Sequence, residues 1–498
     1  MNENGSVSWA KKAAALSLRT DAFIGGRAVA AASGKRFPTI NPTTGKPIIE
    51  VAECDGEDVN RAVAAARAAF DKGVWSKMAP DDRRKRMIRF ADLIEANLEE
   101  LALLDTIDAG KPISSAIVMD VPKSARTIRW CGEAIDKLYD EIAPTAPNAL
   151  SLIRREPLGV VAAIVPWNYP LFMTSWKIGP ILAAGNSIII KPAEQSPLSA
   201  LRLGELAMEA GIPEGVFNVV PGYGETAGRA LGLHMDVDAI AFTGSTEVGK
   251  LFMIYSGQSN MKRVTLECGG KSPLIILADA PDLDAAARSA AWGLFHNSGQ
   301  SCDAAARLIV ERSIKEEFVE RVLKLTAAYK VGDPLDAETE LGPVISDTQM
   351  ERIQGYIEKG SAEGATLKLG GNRVAGYDGY FLEPTVFDHV TNDMTIAKEE
   401  IFGPVLSILE AVDLDQAIKI ANDTDYGLAS GIWTRDINKA IAASKALVAG
   451  VVSINNYADG DITTPFGGFK RSGFGRDKSL HAIEKYSDLK STWIKLHA

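Results

Sequence analysis

Four short apolar runs separated by helical stretches constrain the fold of this chain more than any other feature. The runs are GVVAAIV (159–165), NSIIIK (186–191), GVFNVV (215–220) and DAIAFTG (238–244). A crossover helix between two strands makes the strands parallel. The pattern therefore predicts βαβ units and an α/β fold built on a parallel sheet.

Other segments extend this expectation along the chain. Apolar residues at three- and four-residue spacing predict helices at 57–71, 81–104, 313–329 and 348–363. A crossover helix is predicted at 198–210, with Ser196 as its N-cap. A second α/β region is predicted over 268–455, with apolar strands at 404–410 and 450–454. The alternating segment 486–496 predicts an exposed edge strand, which favours an oligomer.

Composition and charge argue against several classes of function. With 498 residues the chain is too long for one core, so more than one domain is expected. A formal net charge of −10 argues against nucleic acid as a partner. Neither a signal peptide nor a membrane span is indicated, so a cytoplasmic location is expected. The cysteines, which are Cys54, Cys131, Cys268 and Cys302, show no disulfide or metal-site spacing.

Two glycine-rich turns resemble phosphate-binding fingerprints without matching them. Gly222, Gly224 and Gly228 give GxGxxxG, and GSTEVGKL (244–251) lacks the Ser or Thr that follows the lysine of a P-loop. Such turns can cradle a pyrophosphate with backbone N–H groups, but alone they are more often structural.

Lys191 and Glu194 follow the second apolar run and give a stronger signal. A lysine can hold ribose hydroxyls, and a carboxylate accepts their hydrogen bonds while repelling a 2′-phosphate. An exposed polar turn explains the two residues equally well when they stand alone. With the neighbouring turns they favour NAD over NADP.

Four motifs carry the chemical signal: PWNYP (166–170), LECGGKSP (266–273), GQSC (299–302) and EEIFGP (399–404). With these motifs in this order and at these separations, the chain resembles the NAD(P)-dependent aldehyde dehydrogenase superfamily over nearly its full length. The resemblance implies an oxidoreductase that uses NAD to oxidise an aldehyde to a carboxylic acid.

The resemblance also implies an architecture, with a Rossmann-like cofactor domain, an α/β catalytic domain and a small β oligomerisation arm. The implied segments are a first cofactor part at 1–135, the arm at 136–156, the cofactor core at 157–267, the catalytic domain at 268–455, a return segment lining the substrate tunnel at 456–480, and a C-terminal oligomerisation strand at 481–498. A homo-oligomer is expected, as a dimer or a tetramer.

By the same resemblance Cys302 is the nucleophile. Its thiolate adds to the aldehyde carbon, and the tetrahedral oxyanion then expels hydride and leaves a thioester. The Asn168 side chain and the Cys302 backbone N–H are expected to stabilise the oxyanion. Glu267 matches the general base that activates water, a role that a pKa raised by burial would serve. Family members that acylate coenzyme A generally lack this glutamate, so an acid is the expected product.

The motifs also place the cofactor. Glu400 and Phe402 are expected at the nicotinamide ribose and ring, and Lys191 and Glu194 at the adenosine ribose. Lys191 is counted with the catalytic residues as well. The remaining cleft residues are expected to be Ile164, Val165, Pro166, Trp167, Asn168, Gly224, Gly244 and Ser245.

Substrate expectations rest on the segment 455–496, on EAIDKLYDEIAP and on TSWKIGP, which resemble the branch acting on γ-glutamyl-γ-aminobutyraldehyde in putrescine breakdown. The residues expected to line the aldehyde tunnel are Tyr169, Trp176 and Phe466. The loop from Tyr457 to Asp461 is expected to shape its mouth, where Asp459 and Asp461 could meet an amino group.

Two residues depart from the family pattern. Asp303 follows the nucleophile, where the family has a small, neutral or apolar residue, and its carboxylate should raise the pKa of Cys302. Asp303 either points away, as an ordinary exposed aspartate, or faces the tunnel and attracts a cationic substrate. Asp477, where many relatives carry glutamate, is a milder departure.

Alternative functions remain open at this point. Within the class, broad oxidation of aliphatic or aromatic aldehydes competes with oxidation of amino or amide-containing aldehydes. From another class, Cys302, Asn168 and Glu267 would suffice for a thiol esterase that needs no cofactor, although the cofactor motifs argue against it. A non-catalytic relative would be indicated by loss of Cys302 or Glu267, and both are present.

Overall fold

A computed structural model describes residues 8–457 and 460–497 of the chain. The α-helices are α1 (Trp9–Ala14), α2 (Gly56–Lys72), α3 (Pro80–Ala96), α4 (Leu98–Ala109), α5 (Ile113–Ser115), α6 (Val121–Ala134), α7 (Pro170–Ala183), α8 (Leu198–Glu209), α9 (Arg229–Leu233), α10 (Thr246–Gln258), α11 (Leu283–Phe295), α12 (Lys315–Ala327), α13 (Asp347–Ala362), α14 (Thr395–Lys398), α15 (Leu414–Asn422), α16 (Ile437–Ala446) and α17 (Ser479–Glu484). Short π-helical turns lie at Ala116–Asp120 and Gly224–Gly228, and 3₁₀ turns at His296–Gly299 and Arg312–Ile314.

The strands fall into two large sheets and three small ones. They are β1 (Ala22–Ile24), β2 (Arg27–Val29), β3 (Arg36–Asn41), β4 (Lys46–Ala52), β5 (Glu141–Ala143), β6 (Ala149–Pro157), β7 (Val160–Ile164), β8 (Ser187–Lys191), β9 (Phe217–Val219), β10 (Ala239–Gly244), β11 (Arg263–Cys268), β12 (Pro273–Ile276), β13 (Arg307–Glu311), β14 (Thr366–Leu369), β15 (Thr385–Asp388), β16 (Val405–Ala411), β17 (Tyr426–Gly427), β18 (Ala429–Trp433), β19 (Val451–Ile454), β20 (Phe469–Lys470), β21 (Gly473–Phe474) and β22 (Ser487–Lys495).

The first large sheet has the order β2-β1-β9-β8-β7-β10-β11-β21. Its central strands β9, β8, β7, β10 and β11 are parallel, which confirms the α/β fold predicted from the apolar runs. Ile188 and Ile190 of β8 pack into one hydrophobic cluster and Ile189 into another, so both faces of the sheet are covered. This burial explains why the runs are continuously apolar.

The second large sheet has the order β14-β15-β16-β13-β12-β18-β19. Its pairs are parallel except β14 with β15. Every strand of this sheet lies within the predicted catalytic segment 268–455. The predicted helices at 313–329 and 348–363 are confirmed as α12 and α13.

A three-stranded antiparallel sheet joins the two segments predicted to form the oligomerisation region, the arm at 136–156 and the C-terminal segment at 481–498. Strand β22 pairs with β6 along its whole length, from Ser487 with Pro157 to Lys495 with Ala149. The predicted C-terminal strand is confirmed. Leu489 and Trp493 on it are exposed by 63% and 67% of their surfaces, and oligomerisation through this region stays a prediction.

Two expectations about helices are wrong in detail. The helix predicted at 81–104 is two helices, α3 and α4, which are separated at Asn97. The Asn97 side chain donates a hydrogen bond of 2.8 Å to the carbonyl of Leu93, so it competes with the backbone pattern of a continuing helix. Ser196 does not cap α8; a buried carboxylate of Asp108 accepts from the Leu198 N–H at 3.0 Å instead.

Candidate active site and cofactor cleft

Strand register brings the predicted residues of the first sheet to one edge. Lys191 of β8 pairs with Ile164 of β7, and Ile164 pairs with Phe242 of β10. Glu267 of β11 pairs with Thr243, next to Gly244. The carboxyl ends of four parallel strands therefore meet where a ligand of such a sheet binds.

Lys191 and Glu194 interact at this edge. The Lys191 Nζ lies 3.3 Å from Glu194 Oε2 and donates to the Pro192 carbonyl at 2.8 Å. Burial lowers the pKa of Lys191, and Glu194 opposes that effect. The chain continues from β7 through Val165, whose N–H donates to the Lys191 carbonyl at 3.1 Å, into Pro166 and Trp167.

Two backbone features at the same edge suit a pyrophosphate. Ser245 caps α10, with its hydroxyl accepting from the Val248 N–H at 3.3 Å, so the helix begins directly after Gly244 and β10. Gly224 opens a π-helical turn, and a Cβ added there would have nothing within 4 Å. The open space beside Gly224 and the N-terminus of α10 leave room for an anion at both turns.

Glu400 and Phe402 face the cleft from the second domain. The Phe402 ring packs edge-to-face against Trp167, with centroids 5.2 Å apart. Glu400 Oε1 accepts from the Gly270 N–H at 3.0 Å, and a Cβ on Gly269 would meet that carboxylate at 1.9 Å. Burial raises the pKa of Glu400 to about 7. Glu400 and Phe402 thus lie where polar and aromatic contacts to a nicotinamide riboside, which the motifs predict for them, would be available.

Cys302 lies in the loop between the 3₁₀ turn His296–Gly299 and β13. Asn297, with φ of 52°, donates from its side chain to the Asn168 carbonyl at 2.8 Å. Asn168 in turn donates from Nδ2 to the Gln300 carbonyl at 2.9 Å. An amide nitrogen carries two N–H donors, so Asn168 holds the loop with one and keeps the other for a ligand.

Acidic neighbours surround the thiol. Burial raises the pKa of Cys302 well above its ordinary value, and Asp303, Glu267 and Glu400 raise it further. The thiol is therefore protonated in the free protein at neutral pH, and a base must take its proton before it attacks a carbonyl.

Glu267 is buried, and its Oε1 has no hydrogen-bond partner among the described residues. Burial raises the pKa of Glu267 well above its usual range, Asp477 adds to the increase, and Lys177 opposes it. This direction agrees with the expectation for a general base.

Behind Glu267 lies a buried cluster of charges. The two carboxylate oxygens of Asp477 contact Lys177 Nζ at 2.5 Å and Lys485 Nζ at 2.6 Å. Burial acts to raise the pKa of Asp477, but the two lysines outweigh burial and lower it. Asp477 therefore keeps its charge, and that charge disfavours ionisation of Glu267.

Cys302 borders a cavity of about 560 Å³. The wall beside the thiol is aromatic and includes Tyr169, Phe172, Trp176 and Phe466. Trp176 stacks edge-to-face with Phe172 and with Phe466, at centroid distances of 5.2 and 5.1 Å. The predicted tunnel residues are thus brought together around Cys302.

Asp303 faces this cavity and is held on two sides. The Ser301 hydroxyl donates to its carboxylate at 2.6 Å, and the Tyr457 hydroxyl donates to its backbone carbonyl at 2.6 Å. Asp461 at the mouth already pairs with Arg126 at 2.5 Å, so it is not a free anchor for an amino group. Asp459, the other expected anchor, lies outside the described residues.

The structure bears on two further expectations. Within residues 8–457 and 460–497, no group of three or more His, Cys, Asp or Glu residues could hold a metal ion. In the same part of the chain, no helix combines the length and apolarity needed to cross a membrane.

Comparison with known proteins decides the family. The model of the aldehyde dehydrogenase family matches residues 29–492. The chain belongs to this family. As an aldehyde dehydrogenase it is an oxidoreductase that uses NAD(P), and the expected fold is confirmed.

Individual relatives cover the whole chain. The aldehyde dehydrogenase is 49% identical over 498 residues to the NADP/NAD-dependent aldehyde dehydrogenase PuuC of Escherichia coli strain K12, with 100% of each protein covered. A mutant indole-3-acetaldehyde dehydrogenase of P. syringae in complex with NAD+ and IAA is 55% identical with a TM-score of 0.98, covering 99% of this chain and 100% of that one. A γ-glutamyl-γ-aminobutyraldehyde dehydrogenase from Burkholderia cenocepacia J2315 is 51% identical with a TM-score of 0.97, with the same coverage.

Several residues around the aldehyde dehydrogenase site were not predicted. Lys177 and Lys485 surround Asp477, Asn297 supports Asn168, and Gln349 donates from Nε2 to the Phe402 carbonyl at 2.8 Å. Lys177 lies in the TSWKIGP segment, which the sequence had linked to the substrate branch, and Asn297 stands two residues before GQSC. The signal that could have found Lys177 and Asn297 was their position within or next to a motif.

Proposed function

We propose that this aldehyde dehydrogenase oxidises γ-glutamyl-γ-aminobutyraldehyde, or a related amino or amide-containing aldehyde, to the carboxylic acid with NAD. The observation that carries the proposal is the position of Cys302. Cys302 lines the aromatic cavity, and its backbone carbonyl lies 2.7 Å from where a Cβ of Gly270, just after β11, would be. Asn168 bonds to its loop, and Glu267 is close enough to raise its pKa.

The proposed reaction begins when a base takes the proton of the Cys302 thiol and releases it to solvent. The Cys302 sulfur then bonds to the aldehyde carbon, and the carbonyl electron pair moves to the oxygen. The free N–H of the Asn168 amide and the Cys302 backbone N–H donate to that oxyanion. NAD, when bound, supplies the acceptor for the hydride that leaves as the carbonyl re-forms.

Hydrolysis of the resulting thioester restores the enzyme. Glu267 takes a proton from a water molecule, whose oxygen bonds to the acyl carbon. The carbon–sulfur bond then breaks, the acid leaves, and Glu267 returns its proton to the sulfur. The direction of the Glu267 pKa shift supports this role, because a carboxylate with a raised pKa is a stronger base.

The cavity supports the substrate assignment. Its aromatic wall suits the methylene and amide part of a γ-glutamyl chain, while Asp303 and the charged mouth suit its ammonium and carboxylate groups. The Burkholderia relative named for this aldehyde adds support.

Broad oxidation of aromatic or aliphatic aldehydes is the second candidate. The aromatic wall favours it on its own, and a relative named for indole-3-acetaldehyde is 55% identical. A charged group on the substrate would then contribute nothing to kcat/KM.

Initial rates of NADH formation separate the two candidates. We would compare γ-glutamyl-γ-aminobutyraldehyde, 3-aminopropanal, hexanal, benzaldehyde and indole-3-acetaldehyde, with Cys302→Ala as the blank and NADP as the cofactor control. Higher kcat/KM for the first two aldehydes supports the proposal, and preference for the uncharged aldehydes contradicts it. NADH formation by Cys302→Ala would contradict the proposed nucleophile.

A further inference from the structure

Three basic side chains lie at the mouth of the aldehyde cavity. Lys123 and Arg126 come from α6, where a spacing of three residues puts them on one face, and Lys478 comes from the segment before α17. All three line the cavity whose inner wall carries Cys302. Two distant parts of the chain thus bring positive charge to one place.

The backbone at Lys478 is held in an unusual conformation. Lys478 and Ser479 have φ of 62° and 52°, a region that residues with a side chain rarely adopt. The Ser479 N–H donates to the Ile462 carbonyl at 2.7 Å, which ties this strained pair to another part of the cavity lining. Backbone strain of this kind persists where the surrounding structure enforces it, and it concentrates at functional sites.

In this conformation the Lys478 ammonium group lies near the aromatic wall of the cavity. Its Nζ lies 5.7 Å from the centroid of the Trp176 ring, which belongs to the aromatic wall. Lys478 therefore stands between the mouth of the cavity and its inner part, where it can reach the remote end of an extended substrate.

Among the described residues that line the cavity, three are Lys or Arg and two are Asp. Asp461 pairs with Arg126. Burial lowers the pKa of Lys478, Asp461 and Asp303 oppose that effect, and the positive charge of Lys123 lowers the pKa further. Two ammonium groups that repel each other across a partly buried cavity would be stabilised by an anion bound beside them.

We infer that Lys123 and Lys478 form a subsite for a carboxylate at the end of the substrate remote from the aldehyde. The inference deepens the proposed function and rests on it, since the α-carboxylate of a γ-glutamyl aldehyde is the group that the subsite would bind. Arg126 and Asp461, which pair with each other, border the subsite.

The test uses a pair of probes that share one aldehyde end. 10-Oxodecanoate has an unbranched chain as long as that of γ-glutamyl-γ-aminobutyraldehyde, and its methyl ester lacks the negative charge. We expect Lys478→Met to lower kcat/KM for the acid about tenfold, mainly through KM, as loss of one hydrogen bond to a charged group would do. The ester should keep its kcat/KM, and Lys478→Arg should restore the preference for the acid.

Matched variants separate binding at the subsite from a general effect of removing a lysine. Lys123→Met should lower the same acid-to-ester ratio, whereas Lys137→Met, an exposed lysine outside the cavity lining, should not. An unchanged ratio in both Lys123→Met and Lys478→Met overturns the inference, and so does an equal fall for acid and ester in Lys478→Met. If γ-glutamyl-γ-aminobutyraldehyde is a poor substrate but the ratio still responds to Lys478→Met, the proposed function fails while the subsite stands.

Discussion

The cofactor cleft and the aldehyde cavity meet at Cys302, but different kinds of structure form their walls. The cleft is the edge of one parallel sheet, where the register of β8, β7, β10 and β11 fixes the residues that follow each strand. The cavity is lined mainly by α6, α7, the Cys302 loop and the segment after β19, together with residues of β18 and β19 from the second sheet. The register of one sheet thus fixes the cleft, whereas packing between elements that are distant in the chain forms most of the cavity.

The difference has a functional consequence that substitutions can test. A change at the cleft should alter the use of the cofactor and leave aldehyde selectivity intact, and a change in the cavity should do the reverse. Residues at the junction should alter the chemical steps for every aldehyde, so the largest effects are expected there.

The largest effect is expected for Glu267→Gln. The change keeps the shape of the buried side chain but removes the base, so thioester hydrolysis should slow by about a hundredfold or more. Rapid mixing should show a burst of NADH close to the enzyme concentration, followed by a slow steady state. Steady-state turnover like that of the unaltered enzyme would contradict the role of Glu267.

Asn168→Ala should have the next largest effect. Loss of one oxyanion donor typically costs about 2.7–4 kcal/mol, which lowers kcat by about a hundredfold to a thousandfold. Because Asn168 also bonds to the Gln300 carbonyl, the rate of Cys302 alkylation at high pH serves as the control for loop position. A fall in kcat that is matched by an equal fall in alkylation would show displacement of the loop instead.

The strands that form the cleft could be predicted because local sequence patterns determine them. Each of the four apolar runs became a strand, and the residues expected after them, such as Lys191 and Ser245, lie at the sheet edge. Parallel pairing then needs only the crossover rule to bring those ends together. Cys302 and Glu267 were instead predicted from the resemblance of the four motifs to a family, and their roles stay a prediction.

Contacts between distant parts of the chain show why the rest could not be predicted. Lys177 and Asp477 form their buried pair across 300 positions of sequence, and Asp108 caps α8 from 90 positions away. No local periodicity records such contacts. The orientation of Asp303 was open for the same reason, since it depends on hydroxyls of Ser301 and of the distant Tyr457.

At the cleft, Glu194→Gln should change the choice of cofactor. Removing a carboxylate that repels a 2′-phosphate should raise kcat/KM for NADP relative to NAD about tenfold, equivalent to about 1.4 kcal/mol. Initial rates with both cofactors measure this, and the ranking of aldehydes should stay unchanged. Glu209→Gln, an exposed change at the end of α8, is the matched control. An unaltered cofactor ratio in Glu194→Gln would place the adenosine ribose elsewhere.

The smallest effect is expected inside the cavity, for Asp303→Asn. The negative charge of Asp303 raises the pKa of Cys302, so its removal should lower that pKa and increase the thiolate fraction at neutral pH. Asparagine can still accept the Ser301 hydrogen bond, which keeps the loop in place. The pH profile of Cys302 alkylation should therefore shift to lower pH, with a rate at neutral pH that rises by about severalfold.

Asp461→Asn is the matched control for that shift, because Asp461 lines the same cavity without being among the groups that raise the pKa of Cys302. Its alkylation profile should superimpose on that of the unaltered enzyme. If the profiles of the two variants coincide, the charge of Asp303 does not influence the pKa of Cys302. If they separate as expected, the cavity wall sets the reactivity of Cys302 independently of the cleft. Turnover of amino aldehydes relative to uncharged aldehydes should then fall in Asp303→Asn. Such a fall would show what the enzyme gains by keeping an acid beside Cys302, namely selectivity for amino aldehydes.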